Sequence, residues 1–336
     1  MRTLVISDLH LGSITRRDVL RRPAALEALL AGLEGIDRLV LLGDTVELLE
    51  GAPGRAMRAA RPVLEEIGRG MGRGRDIVLV PGNHDHALIR PWLRARRADG
   101  KRVGLAGVVA ARSSPGIADI VGWLRPARVR VRYPGMWLAP RIWAHHGHYL
   151  DRHLARREAV PGPRASAEDY ERALGLSIAA FGTLMATALP GSLGEPADRI
   201  AGLVRRAGVA AVPVAAALPG FPSLAPLSAG VLGLQFRRAG LSAMASVVQR
   251  LGVRADHVVF GHVHRAGPRD GDRPGEWAPL GTPKLWNSGC WVYEPLLLAG
   301  SQPPHPYWPG GGILVEDGGP PRSVSLLDGV DRRALQ

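Results

Sequence analysis

Residues 79–88, LVPGNHDHAL, place Asn83, His84, Asp85 and His86 directly after an apolar run that ends in Pro-Gly-Asn. Asp and Asn are poor strand formers and His is an ordinary one, so folding alone gives no reason for this cluster at the exit of a buried strand. The cluster therefore indicates a functional site mounted on a strand.

The same pattern, a short apolar run followed at once by Asp or His, occurs at four further places. These are VISDLHLG with Asp8 and His10, VLLGDTVE with Asp44, WAHHGH with His146 and His148, and VVFGHVH with His262 and His264. Strand ends lie side by side in a parallel or mixed sheet, so residues just past them meet at one edge. We therefore expect these side chains to converge although they are distant along the chain.

The alternation of apolar runs and helical patterns predicts an α/β fold. Strands are expected at 3–7, 37–44 and 76–83, with a helix at 24–33, which is typical of a sheet covered on both faces. Further strands are expected, the last two as a hairpin, at 127–133, 141–146, 256–262, 283–289, 311–317 and 322–328.

Residues 151–250 differ in composition and interrupt the strand pattern. They predict a mostly helical cap inserted into a catalytic domain formed by residues 1–150 and 251–336. Within the apolar part, 173–236, the uncharged run 207–236 contains four prolines that break it into short pieces, which disfavours a membrane-spanning helix. A buried cap is the favoured interpretation, and a cap whose apolar face makes peripheral contact with membrane or lipid is the alternative.

Composition narrows the classes of function. The chain has 336 residues, 46% of them hydrophobic, which is typical of a globular protein. The single cysteine, Cys290, suits a reducing compartment, and the N-terminal apolar run is too short for a signal peptide, so a cytoplasmic location is expected. The formal charge of +13 comes almost wholly from arginine, without a basic run interleaved with aromatics, so long nucleic acid is not an expected partner. No oligomeric state is predicted.

The polar residues at the strand ends form a ligand set for transition metals. Carboxylate, amide oxygen and imidazole together suit Mn, Fe, Zn or Ni better than Ca. Eight candidate ligands exceed what one ion accepts, which argues for two ions, and a carboxylate can bridge ions about 3.5 to 4 Å apart, as in phosphoester hydrolysis. Each residue alone has a structural alternative: Asp8 and Asp44 could cap helices, Asn83 could make a turn and His262 could be a core histidine.

These motifs resemble the calcineurin-like metallophosphoesterase superfamily. Its pattern D-x-H, G-D, G-N-H-[DE], a lone His and G-H-x-H is matched in order over residues 1–150 and 251 to about 295. The resemblance implies a four-layer αββα sandwich with two mixed β-sheets, carrying the helical insertion. SDLHLG and GDTVEL are further similar to the branch that contains UDP-2,3-diacylglucosamine pyrophosphohydrolases. Those enzymes, however, commonly carry Arg at the place of His84, and HGD where this chain has HGH.

The resemblance also implies the roles of individual residues. The implied metal ligands are Asp8, His10 and His264 for one ion, Asn83, His146 and His262 for a second, and Asp44 as the bridge. A hydroxide shared by the ions, with Mn the most expected and Fe, Zn or Ni as alternatives, would attack phosphorus. His84 would contact or protonate the leaving oxygen, and Asp85 would orient the imidazole of His84.

Other residues near the motifs receive smaller roles. Strand alternation predicts that His145 points away from the metals, and His148 is expected behind the ligands or against substrate. Glu47 is expected on a helix, where it could support a metal ligand from behind. WNSGCW (286–291) predicts a packed strand and turn beside the site, with Cys290 not catalytic.

The leading hypothesis is a dimetal phosphoesterase that hydrolyses a phosphoester or pyrophosphate bond. The apolar insertion favours an amphipathic, lipid-linked or nucleotide-linked substrate, with its arginines holding phosphate oxygens: Arg152, Arg156, Arg157, Arg205, Arg206, Arg237 and Arg238. The alternatives are a phosphodiesterase or phosphatase acting on soluble nucleotides or small molecules, and a non-catalytic metal-binding scaffold. A scaffold is disfavoured because it would not require His84 and Asp85 beside a complete ligand set.

Overall fold

Eleven strands form the framework of the part of the chain that the structure describes. The computed structural model describes residues 1–154, 162, 164–172, 240–281, 283–298 and 300–336. The strands are β1 Arg2–Ile6, β2 Arg38–Leu42, β3 Asp76–Val80, β4 Gly107–Val109, β5 Arg128–Tyr133, β6 Gly135–Ala139, β7 Ile142–His145, β8 His257–Phe260, β9 Lys284–Asn287, β10 Gly311–Glu316 and β11 Arg322–Ser325. The helices are α1 Pro23–Gly32, α2 Pro53–Met71, α3 Arg90–Ala98, α4 Pro115–Trp123, α5 Asp151–Leu154, helical residues 167–172 and 240–250, and short helices at Pro295–Leu298 and Arg332–Leu335.

Seven strands form the larger sheet, in the order β11-β10-β1-β2-β3-β5-β4. Strands β1, β2, β3 and β5 run parallel, while β10, β11 and β4 are antiparallel to their neighbours. The last four residues of β1, β2 and β3 are buried, which explains why these strands appear as unbroken apolar runs in the sequence.

A second, four-stranded sheet has the order β6-β7-β8-β9, with β7, β8 and β9 parallel. Apolar side chains from both sheets, including Val40, Val78, Ala144 and Val259, pack into one cluster between them. The other faces of the strands join a larger cluster that contains apolar residues of α1, α2 and residues 240–250. The fold is therefore mixed α/β, with two mixed sheets and helices, as the motifs imply.

Nine strands lie where the sequence predicts them, and the β10–β11 hairpin is confirmed by the pairing of Gly311 with Ser325. Strands β4 and β6 were missed. Strand β4 has only three residues, and its first, Gly107, lies against the Trp92 ring, which an added Cβ would approach to 3.1 Å. Both missed strands lie at sheet edges and begin with glycine, a poor strand former, so their sequences carry little strand signal.

Only the two ends of the predicted insertion belong to the described residues. Tyr170, in helical residues 167–172, stacks on Tyr149 with ring centroids 4.8 Å apart. Among the described residues, no helix is long and apolar enough to cross a bilayer. The predicted apolar segment 173–236 lies outside the described residues, as do all the arginines proposed for phosphate binding except Arg152.

Candidate metal centre

The five polar motifs lie directly after five strand ends, but these strands belong to two sheets. The turns after β1, β2 and β3 carry Asp8, Asp44 and Asn83 from the larger sheet. The turns after β7 and β8 carry His146 and His262 from the smaller one. The side chains therefore meet where the carboxyl ends of the two sheets adjoin.

The structure brings all seven predicted metal ligands together. Asp8, His10 and His264 form one group, and Asp44, His146 and His262 form another, with the potential ligand atoms of each group within 4.8 Å of one another. Asn83 joins the second group through its Oδ1, which lies 3.1 Å from Nε2 of His146. Asp44 Oδ2 lies 3.1 Å from His146 Nε2 and 3.7 Å from His10 Nε2, so its carboxylate stands between the groups.

The backbone at the site adopts conformations that non-glycine residues rarely take. Positive φ angles occur at Asp8 (57°), His10 (44°), Asp44 (51°), His262 (69°) and His264 (57°). Such left-handed residues carry strain and persist only where surrounding structure enforces them, which is common at functional sites. The strained backbone of these turns directs the five side chains toward the site, and the strain lowers local stability.

Glycines next to the ligands allow close approach. A Cβ at Gly82 would collide with the Asp44 carboxylate, and one at Gly261 would collide with Ser7 and Asp8. These positions need glycine because the ligand side chains occupy the space that any larger residue would fill.

The buried imidazoles present one nitrogen to the carboxylates. Nδ1 of His146 donates to the Leu42 carbonyl (2.9 Å), and Nδ1 of His10 donates to Glu47 Oε2 (2.9 Å). The Nε2 of His10 is buried without a hydrogen-bond partner within the described residues and faces Asp8 and Asp44. A buried imidazole nitrogen without a hydrogen-bond partner among the described residues, beside two carboxylates, fits a divalent transition metal. Such metals bind imidazole nitrogen and carboxylate oxygen as ligands.

The two central carboxylates of the site, Asp8 and Asp44, are ionised. Burial tends to raise the pKa of Asp8, but His146 and His264 outweigh it and lower that pKa to about 2. Burial opposes ionisation of Asp44 as well, yet His146 and His84 hold its pKa well below the usual value. Both carboxylates are therefore charged at neutral pH, and they attract positive charge into a buried space.

Glu47, which was expected on a helix where it could support a metal ligand, holds two imidazoles. It lies in the segment between β2 and α2, so the predicted helix was wrong, whereas its contact with a candidate ligand is of the expected kind. Its Oε2 accepts from Nδ1 of His10 (2.9 Å) and from Nδ1 of His84 (2.6 Å). Burial alone would raise the pKa of Glu47, but these two hydrogen bonds lower it to about 2.

Asp85 does not orient His84 as expected. Its carboxylate accepts hydrogen bonds from the backbone amides of Gly82 (2.6 Å) and Thr45 (2.8 Å), so it braces the turns after β3 and β2. The backbone amide of His84 donates to Asp44 Oδ1 (2.8 Å). The carboxylate that orients the His84 ring is Glu47, and the spacing Gly-Asp-x-x-Glu was the only sequence signal for it.

The remaining polar residues near the motifs lie behind the site. His145 stacks on Trp143 (5.3 Å between centroids) and accepts from the Gly147 amide, pointing away from the ligands as strand alternation predicts. His148 is buried, with its ring centroid 5.6 Å from that of His146. Cys290 is buried, and burial raises the pKa of its thiol.

A cavity of about 230 Å³ opens over the cluster. Its floor includes His10, Asp44, His84, His262 and His264. Its outer wall is formed by Ser13, Thr15, Arg17, Glu50, Val292 and Glu294. This wall carries polar side chains, among them Arg17, which forms an ion pair with Glu294 (2.6 Å). The cavity therefore gives access to the cluster of candidate ligands.

One family model and two solved structures are similar to this chain. The family model for calcineurin-like phosphoesterases matches residues 1–169, which include the first four motifs. The chain has no match among curated proteins. Two solved structures are similar over most of the chain at low identity. Yfce, a phosphoesterase from E. coli, shares 14% identity over 94% of this chain and 89% of its own, with a TM-score of 0.31. A mutant cold-active protein tyrosine phosphatase shares 13% identity over 98% of this chain and 78% of its own, with a TM-score of 0.34.

Proposed function

Because the chain belongs to the calcineurin-like phosphoesterase family, we propose that it hydrolyses a phosphoester with two divalent metal ions. The observation that carries the proposal is the position of Asp44 between two complete ligand groups. Asp8, His10 and His264 would hold the first ion, and Asn83, His146 and His262 the second, with Asp44 shared. Mn is the preferred ion because the donors mix oxygen and nitrogen, and Fe, Zn and Ni fit the same set.

Bound ions would supply a water molecule of lowered pKa and neutralise charge on the phosphoryl group. The chain itself orients the remaining proton donor. Glu47 accepts from Nδ1 of His84, so this imidazole carries its second nitrogen, Nε2, free to contact the leaving oxygen in the cavity. An imidazole held in this orientation is placed to act as the general acid. Asp85 supports this arrangement by fixing the turn on which His84 lies.

Two substrate classes remain as proposals. A lipid-linked or nucleotide-linked phosphoester or pyrophosphate is favoured by the apolar insertion and by the similarity to UDP-2,3-diacylglucosamine pyrophosphohydrolases. This proposal depends on residues 173–236. We also propose a cytoplasmic location, with peripheral membrane contact through the same residues. The second candidate, a phosphodiesterase or phosphatase of soluble small molecules, is favoured by the polar side chains in the outer wall of the described cavity.

Hydrolysis assays on the full chain test both levels of the proposal. Metal-free protein would be supplied with Mn and given a chromogenic monoester, a chromogenic diester, a nucleotide sugar and a nucleotide-linked lipid. We expect hydrolysis that a chelator abolishes and Mn restores. No hydrolysis of any phosphoester would contradict the function. Preference for the nucleotide-linked lipid over the small chromogenic esters would support the first substrate class, and the reverse preference would support the second.

A further inference from the structure

Glu171 is a buried carboxylate that lies outside the ligand motifs, at the start of the insertion. Its side chain is 1% exposed, and it belongs to helical residues 167–172. Oε2 accepts from Nε2 of His86 (2.9 Å), while Oε1 accepts from the hydroxyls of Tyr149 (2.6 Å) and Tyr133. Burying a carboxylate is unfavourable unless hydrogen bonds compensate, and here three donors from three separate segments do so.

Two of these donors lie one turn beyond proposed ligands of the second ion. His86 begins the 3-10 helix His86–Leu88, three residues after Asn83. Tyr149 lies in the 3-10 helix His148–Leu150, three residues after His146. On the side facing the cluster, Asn83 and His146 lie 3.1 Å apart. Glu171 therefore connects the turns after β3 and β7 on the side opposite to the one where their candidate ligands, Asn83 and His146, meet.

The third donor extends the same support to the ring behind His146. Tyr133, at the end of β5, shares a hydrogen bond of 3.3 Å with Nε2 of His148. The His148 ring in turn packs beside the His146 ring at 5.6 Å. The carboxylate, the two tyrosines and the two histidines thus form one connected polar network beneath Asn83 and His146.

We propose that Glu171 is a positioning residue for the second metal ion. It sets the separation of the turns that carry Asn83 and His146, so the insertion contributes to the affinity for one ion and not for the other. This inference rests on the proposed function, because it requires that Asn83 and His146 bind metal.

The first ligand group has different supports. His10 is held by Glu47, and Asp8 accepts from Ser7, whose hydroxyl is 2.7 Å from that of Ser288. Within the described part of the chain, Glu171 makes no hydrogen bond to any of these residues. Substitutions of Glu171 should therefore change the affinity for the second ion and leave the affinity for the first ion unchanged.

Titration of Mn into the metal-free full chain tests the proposal, with free Mn measured by electron paramagnetic resonance. The wild type should bind two ions. Glu171→Leu should weaken the binding of one ion by about 10-fold, the lower end of what outer supports of metal ligands contribute, and leave the other within about 2-fold. Glu171→Gln should recover most of the affinity because its amide oxygen still accepts from the tyrosines. The matched control is Glu168→Leu on the same helix, which should bind both ions as the wild type does.

Double variants identify the affected ion. Glu171→Leu should add little to Asn83→Ala, since both act on the second ion, but should add fully to Asp8→Asn. If Glu171→Leu does not fold, Tyr149→Phe removes one donor from the same carboxylate and should weaken the same ion to a smaller extent. Equal weakening of both ions, weakening of neither, or full additivity with Asn83→Ala overturns the inference alone. A wild type that binds no metal contradicts the proposed function instead.

Discussion

The two ligand groups of the centre are supported from different parts of the chain. The first group, with Asp8 and His10, is held by Ser7, which precedes Asp8, and by Glu47 in the turn after β2. The second group, with Asn83 and His146, is braced from behind by Glu171 of the insertion. If Glu171 positions the second group as proposed, the sheets and their turns suffice to build one half of the centre, whereas the other half also depends on residues of the predicted insertion.

Removing the residue that both groups share should have the largest effect. Asp44→Asn takes one negative charge from both ion sites and should lower kcat/KM on a chromogenic diester by about 1,000-fold. Metal analysis should show that both ion sites of this variant bind less metal, because both ligand groups use Asp44. Asp119→Asn, an exposed carboxylate on α4, is the matched control and should keep wild-type turnover. Retention of a tenth or more of the activity by Asp44→Asn would exclude a bridging role.

Breaking the support of the first group should have the next largest effect. Glu47→Gln removes the charge that holds both His10 and His84, so kcat should fall by about 100-fold, the range of general acid catalysis. The loss should be greater for esters with poor leaving groups, because these need the proton from His84 most.

A series of aryl phosphoesters of increasing leaving-group pKa measures this dependence, with exposed Glu34→Gln as the control. A uniform loss across the series would mean that Glu47 supports only the metal ligand His10. Glu171→Gln provides the contrast to Glu47→Gln. Glu171 lies beside the second ligand group and, among the contacts described, makes no hydrogen bond to His84, so this variant should keep the wild-type dependence of the rate on leaving-group pKa.

Short motifs predicted the candidate ligands of both groups and the strand ends well. Asp8, Asp44 and His262 each follow an apolar run, and the edge to which parallel strands bring them is a general property of sheets. The prediction of convergence needed no knowledge of side-chain packing. The same reasoning could not show that β7 and β8 form a separate sheet, because strand order is decided by packing between sheets rather than by local sequence.

The supports of the ligands were much less predictable. Glu47 was assigned to a helix, and the family resemblance paired Asp85 with His84, whereas in this turn the two side chains contact different partners. Glu171 lies 85 residues from its partner His86, and nothing in its local sequence distinguishes it from nearby Glu168. Buried hydrogen bonds between distant segments depend on the tertiary fold, so no local pattern reveals them.

The smallest expected effect concerns the docking of the insertion itself. His153 hydrogen-bonds the hydroxyl of Tyr170 (2.7 Å), and Tyr170 stacks on Tyr149 beside Glu171. Burial, with a further contribution from Arg250, lowers the pKa of His153 from 6.5 to about 4. Between these two values the unfolded chain binds the proton more readily than the folded one, so the free energy of unfolding falls as the pH falls.

His153→Gln keeps a hydrogen-bonding side chain but cannot titrate. In urea unfolding of the metal-free protein, the loss of stability between about pH 7 and pH 4.5 should be smaller in this variant by about 1 kcal/mol, because the histidine is only partly buried. Other titrating groups contribute equally to both proteins and cancel in the difference. Identical pH dependence of the two proteins would show that protonation of His153 does not oppose the packing of Tyr170 against Tyr149. In that case the contact of Glu171 with the turns of the second ligand group would be as insensitive to acidic pH as the contacts of the first group.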